Sequence, residues 1–202
     1  MSSQEKTKED ALLEFMGHTR IIRSRELEGF GHSRWALRRL VEKGLVVRNG
    51  RGIYSLADYS TEGQALIEAC KLVPHGVICL LSALRFHELG TQSPHEVWMA
   101  IDPKARLPRP DGPQLRIVRY SGPALTEGVE THRIDEMEIR VYSKAKTIAD
   151  CFKYRNKIGL DVALEALRDY RRDPRNSMDE LWHFAKICRV PNTLRPYLEA
   201  MS

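Results

Sequence analysis

The residues of this chain best suited to chemistry are arginines. Arg34, Arg38 and Arg39 recur at helical spacing, and Arg48 and Arg51 follow around the short segment Asn49-Gly50-Arg51-Gly52. On an α-helix the first three fall with Trp35 on one side, opposite a stripe of Leu37, Leu40 and Val41 with Ala36 at its border. Guanidinium groups bond guanine edges bidentately or grip phosphates, and a basic hairpin beside such a helix reaches the neighbouring backbone or minor groove. Ser33 stands immediately before the helix, where a hydroxyl caps free backbone N–H groups. The pattern points to double-stranded DNA, with Ser33, Arg34, Trp35, Arg38, Arg39, Arg48, Asn49 and Arg51 as candidate contacts. The competing reading is a solvated basic helix face, and for Trp35 it is packing against the preceding helix.

Charge distribution favours a nucleic-acid surface more than total charge does. The 202 residues carry a formal net charge of +5. The forty residues from Gly17 to Leu56 hold nine Lys/Arg against three acids, a local net charge of +6. A mildly basic isoelectric point is common in proteins with other partners, whereas this concentration is not.

The elements that must position these arginines are legible in order. Lys8 to Met16 places Ala11, Leu12 and Phe15 at helical spacing, and Ser24 to Gly29 reads as a short second helix capped by Ser24. Gly29-Phe30-Gly31 forms a turn, and the third helix runs from its Ser33 cap to about Lys43, where Gly44 stops it. Leu45 to Arg48 and Ile53 to Leu56 are extended, and Asn49-Gly50 is a tight-hairpin signal. This succession is that of a winged helix-turn-helix over about Lys8 to Leu56.

Beyond it, Thr61 to Leu72 reads as a helix beginning at Thr61-Glu62, and Val77 to Leu89 as a mostly buried helix ended by Gly90. Glu96 to Ile101, Leu115 to Tyr120, Val129 to Ile134 and Met137 to Tyr142 alternate as strands do, which predicts a small, mainly antiparallel sheet. Between the first two, Asp102 to Pro113 is polar and Pro-rich, with Lys104, Arg106 and Arg109, and reads as a mobile or contact-making loop. The last third returns to helices at Lys144 to Arg155, Gly159 to Arg172, Met178 to Val190 and after Pro191-Asn192.

Residue patterns for catalysis are weak. Ser143, Thr147 and Asp150 share one side of a helix start, but a cap, a packed or back-bonded threonine and a paired carboxylate account for them. Glu138-Ile139-Arg140 lacks the lysine of a metal-dependent nuclease strand, and no Gly-rich phosphate loop or Gly-Ser with paired aspartates occurs. Cys70, Cys79, Cys151 and Cys188 are dispersed, without zinc-ligand spacing, and read as reduced core thiols; His87 reads as a core histidine. No catalytic residue, metal or cofactor is expected. No run approaches the roughly 18 apolar residues of a membrane span, and Met-Ser-Ser-Gln-Glu-Lys lacks the apolar segment of a signal peptide, so a cytoplasmic location is expected.

Taken together, Ser33-Arg34-Trp35-Ala36-Leu37-Arg38-Arg39-Leu40-Val41-Glu42-Lys43-Gly44, the Gly52-Ile53-Tyr54 that closes the wing, and Ile139 to Phe152, a strand followed by Ser-x-x-x-Thr-x-x-Asp, resemble the AbiEi-type antitoxins of bacterial type IV toxin–antitoxin pairs. The resemblance covers nearly the whole chain, with Ser143-Lys144 where many members have Ser-Pro. It implies a non-enzymatic repressor that binds inverted repeats in its own promoter in pairs, and a C-terminal domain that counteracts a cognate nucleotidyltransferase toxin. The alternatives are a ligand-responsive winged-helix regulator without a toxin and a DNA-processing enzyme. The expected fold is α+β, with a winged helix-turn-helix over residues 1–58, then a mixed domain over 59–202 with a C-terminal helical segment.

Overall fold

The computed structural model describes residues 7–29, 31–59, 63–107, 112–135 and 137–201. Expectations on Met1 to Lys6, Phe30, Thr61-Glu62 and Arg109 lie outside these residues. Among the described residues the fold is α+β, with ten helices and two sheets. The chain divides into two compact units, one of residues 1–74, 108–113 and 133–138, the other of 75–107, 114–132 and 139–202.

The first unit begins with α1 (Lys8–Thr19), started by a capping box in which the Thr7 hydroxyl accepts from the Asp10 backbone N–H and the Asp10 carboxylate from that of Thr7. β1 (Ile21–Arg23), α2 (Glu26–Gly29), α3 (Arg34–Glu42), β2 (Val46–Gly50), β3 (Ile53–Leu56) and α4 (Gln64–Leu72) follow. Leu12 and Met16 of α1, Leu27 of α2, Ala36, Leu37 and Leu40 of α3, and Ile22 and Val46 of the strands bury together in one core. The three strands are antiparallel in the order β1-β3-β2.

One element here was not read from the sequence, and one local expectation needs correction. Ile21–Arg23 is a strand, paired Ile21 to Ser55 and Arg23 to Ile53; three residues are too few for alternation to show before pairing fixes them. The hairpin turn is Arg51-Gly52, not Asn49-Gly50. Asn49 and Gly50 continue β2 through a register shift, and Gly52 supplies the left-handed φ of +73° that the turn requires.

In the second unit β4 (Val77–Ile78) leads through the N-cap Cys79 into α5 (Leu80–Phe86), and then come β5 (Val97–Ile101), β6 (Leu115–Arg119), α6 (Pro123–Thr126), β7 (Val129–Ile134) and β8 (Met137–Tyr142). Val77–Ile78 is thus a strand where a helix was expected, because a short apolar run fits a buried strand as well as a buried helix. The five-stranded sheet has the order β6-β5-β4-β8-β7. It is mixed, not mainly antiparallel: β5 runs parallel to β6 and β4 to β8, while β4 and β5 are antiparallel. The long 102–114 connection is what lets β5 and β6 run the same way, since a two-residue hairpin cannot. One Arg119 nitrogen gathers the start of that loop by donating to the carbonyls of Asp102, Pro103 and Ala105 at 2.6, 2.9 and 2.7 Å.

α7 (Lys144–Ile158), α8 (Leu160–Arg172), α9 (Met178–Ile187) and α10 (Pro191–Ala200) complete the chain close to their expected bounds. The first residues of α7 are buried on every side, and Ile148 and Phe152 join Tyr142, Leu167, Tyr170 and Leu181 in a single core.

Candidate nucleic-acid interface

α3 is held by its inner face and offers its outer one. The Ser33 hydroxyl accepts from the Ala36 N–H at 3.1 Å, and Gly44, at φ +71°, lets the chain turn away after the Lys43 C-cap. Ala36, Leu37 and Leu40 are buried, whereas Arg34, Trp35, Arg38 and Arg39 are all exposed. Trp35 is 61% exposed, so it does not pack into the preceding helix; the Arg39 guanidinium lies over its ring, 5.9 Å from the centroid.

Each arginine on this face meets a carboxylate. Arg34 pairs with Glu28 at 3.0 Å, Arg38 with Glu42 at 3.0 Å, and Arg39 with Glu9 at 3.7 Å and Glu42 at 3.9 Å, while Lys43 also pairs with Glu9. The sequence reading missed Glu9, which α1 brings across to α3; capping-box acids in a first turn are the signal that could have placed it. The Arg34–Glu28 and Arg38–Glu42 pairs sit at the surface, where an ion pair is worth about 0–1 kcal/mol, so exchanging their carboxylates for a phosphate costs little; Glu9 is only 14% exposed.

The hairpin is fixed to the same unit from two sides. Ser24 N–H donates to the Gly52 carbonyl at 2.8 Å, and a Cβ at Gly52 would stand 3.0 Å from the Ser24 hydroxyl, so a side chain there would crowd that hydroxyl and strain the left-handed backbone. Arg48 and Arg51 are exposed, and Arg48 Nε donates to the Gly50 carbonyl at 3.2 Å. Asn49 points the other way. The register shift turns its amide inward, where it donates to Ser55 Oγ at 3.1 Å and to Glu68 of α4, a buried carboxylate that also accepts from Gln64 at 2.9 Å. The structure therefore brings Ser33, Arg34, Trp35, Arg38 and Arg39 together on α3 and leaves Arg48 and Arg51 outward on the hairpin, but engages Asn49 inside the unit.

The polar cluster at the start of α7 is internal. Ser143 Oγ accepts from Lys146 N–H at 3.3 Å, and Thr147 Oγ1 donates to the Tyr142 carbonyl at 3.2 Å. Lys146 Nζ donates to Asp150 at 2.6 Å with both side chains at most 1% exposed. The same ammonium lies 4.1 and 4.8 Å from the ring centroids of Tyr142 and Tyr120, and the Cys188 thiol donates to Asp150 at 3.1 Å. Burial holds the Asp150 carboxyl above the ordinary carboxylate range against the opposing pull of Lys146. Burial likewise raises the thiols of Cys79 and Cys151, and that of Cys188 to about 12, so they remain protonated and poor nucleophiles. Lys146, Thr147 and Asp150 are at most 1% exposed, and their bonds tie the start of α7 into the core.

Among the described residues no helix is long and apolar enough to cross a membrane. No curated protein matches the chain. Residues 9–57, from the first turn of α1 to just past the end of β3, match the model of a family described as transcriptional regulators, AbiEi antitoxins, and in this segment the chain carries the resemblance to an AbiEi-type antitoxin that its sequence announced.

Proposed function

We propose that residues 1–58 form a winged helix-turn-helix that binds double-stranded DNA, with α3 in the major groove and the β2–β3 hairpin as the wing. The observation that carries this reading is the exposed row of Arg34, Trp35, Arg38 and Arg39 on a helix whose opposite face is buried, beside a pinned hairpin that turns Arg48 and Arg51 outward. Ser33 acts by capping the helix, and Asn49 by shaping the wing through its bond to Ser55. The family description supports regulation of transcription, and we read the chain as a repressor of its own operon, bound as pairs to inverted repeats.

The remainder of the chain, 59–202, we assign to the antitoxin role: neutralising a nucleotidyltransferase-type toxin encoded beside it, without catalysis of its own. Two experiments test the two halves. Fluorescence anisotropy on duplexes tiling the upstream promoter is expected to find one tight, salt-sensitive site, lost in the Arg38→Ala, Arg39→Ala protein; unchanged binding by that protein overturns the assignment of the face. Co-expression of the full chain with the adjacent gene product is expected to rescue growth, and no rescue overturns the antitoxin half.

A further inference from the structure

A second cationic surface lies in the unit the DNA reading leaves out. Arg119 at the end of β6, Lys153 on α7 and Arg189 after α9 converge on a cleft of about 390 Å³ together with Tyr120 and Ser121, and no carboxylate lines it among the described residues. Unlike the arginines of α3, neither Lys153 nor Arg189 is engaged in an ion pair among the described residues. Arg119 is committed to three loop carbonyls, which fixes its position but leaves its charge uncompensated. Among the described residues no carboxylate in the cleft lining offsets these three cations, so its surface is positive.

Two further features mark the cleft. Tyr120 is 4% exposed, and its hydroxyl is buried with no hydrogen-bond partner, the single such side-chain atom among the described residues. Burial also raises its ionisation well above the usual range, so the group stays a donor. Arg189 occupies the left-handed position of a helix-ending turn, φ +60°, in which its N–H bonds the Lys186 carbonyl and that of Val190 the Ala185 carbonyl. Glycine is the residue that position favours, so an arginine there trades backbone ease for a cation at the cleft.

We propose that this cleft binds the phosphate group of a small phosphorylated molecule. Arginine forks and a lysine ammonium are the donors that a phosphate dianion selects, and the volume admits a small organic body beyond the phosphate itself. The site is independent of the helix face assigned to DNA.

Calorimetric titration of the full chain with inorganic pyrophosphate as probe is expected to give saturable binding. Lys153→Ala with Arg189→Gly should weaken it by at least about tenfold. Arg189→Gly removes the cation while relieving the backbone, so the unfolding temperature should hold or rise and lost binding cannot be misread as misfolding. Arg38→Ala, Arg39→Ala should leave pyrophosphate binding intact. The proposal is overturned if no saturable heat appears, or if the cleft variants bind pyrophosphate as the parent does. It is equally overturned if those variants lose promoter DNA in proportion to pyrophosphate, which would make the cleft part of a nucleic-acid surface.

Discussion

The N-terminal helix face and the start of α7 both consist of basic side chains opposite carboxylates, yet water separates them into different kinds of chemistry. Around α3 the pairs Arg34–Glu28 and Arg38–Glu42 stand at the surface, with arginine side chains 66% and 82% exposed. Each contributes little to stability, and each guanidinium can leave its partner for a phosphate. At α7, Lys146 and Asp150 are shut in with Tyr120, Tyr142 and Cys188, and neither charge can find another partner. The same residue types thus make an exchangeable surface in one unit and a fixed internal joint in the other. The desolvation each pair has undergone decides which.

The largest expected effect breaks the internal joint. Asp150→Ala leaves a buried ammonium without its counter-ion and should cost about 3–5 kcal/mol, read by urea unfolding. Replacing both members, Lys146→Met with Asp150→Leu, should recover most of that loss, because two apolar side chains of similar size leave no charge stranded. If the single and double variants are equally unstable, packing and not charge governs the site. Next in size is the exchangeable face. Arg38→Ala with Arg39→Ala should move stability by less than about 0.5 kcal/mol while costing about 1–3 kcal/mol of DNA affinity for each base-reading arginine, and an arginine that grips a phosphate should, when removed, lower the salt slope by about one unit. A large stability loss in that protein would erase the contrast between the two regions. Smaller again is Ser33→Ala, expected to cost about 1 kcal/mol through the cap and to weaken DNA binding only as far as the first turn of α3 frays.

The contrast also explains what sequence could and could not convey. The face of α3 was readable because a helix buried on one side repeats its pattern every three to four residues, and Leu37 and Leu40 mark the inner side whatever else the chain does. The bounds of β7 and β8 were readable from their alternation and those of α8 from its helical repeat, whereas α9 stops at Ile187, three residues short of its expected end. Asn49 was not, because whether it sits in the turn or in the strand depends on how β2 registers with β3, and the inward turn of its amide answers to Glu68, nineteen residues away. Nor was the parallel pairing of β5 with β6, since a strand's own residues do not state the direction of its neighbour. At Asp150 the sequence implied a basic partner and the structure identifies it as Lys146, one helical turn back. The depth of burial that gives the pair its character arises only when α8, α9 and the sheet close around α7.

The smallest expected effect carries the same distinction to a group that titrates near neutrality. His87, half-buried at the end of α5, has Nε2 2.7 Å from the Tyr142 carbonyl oxygen. A carbonyl only accepts, so Nε2 carries the proton and donates it, and the imidazole can be neutral while making this bond. Burial, the largest influence, lowers its pKa below the ordinary 6.5, against the raising effect of the Tyr142 carbonyl and Glu130. The unfolded chain therefore takes up this proton at higher pH than the folded one, so the unfolded state gains protons first as pH falls below about 6.5, and stability must drop with it. The contribution is complete above that pH and is lost on acidification toward the folded value. Urea unfolding of the parent and of His87→Gln between about pH 5 and 7 isolates it, because the carboxylates that dominate at lower pH are common to both. The parent should lose more stability than the variant as pH falls through this window. Parallel curves would mean that the ring charges as readily in the fold as in water, and that its bond to Tyr142 belongs with the exchangeable pairs of the other unit and not with the closed core of its own.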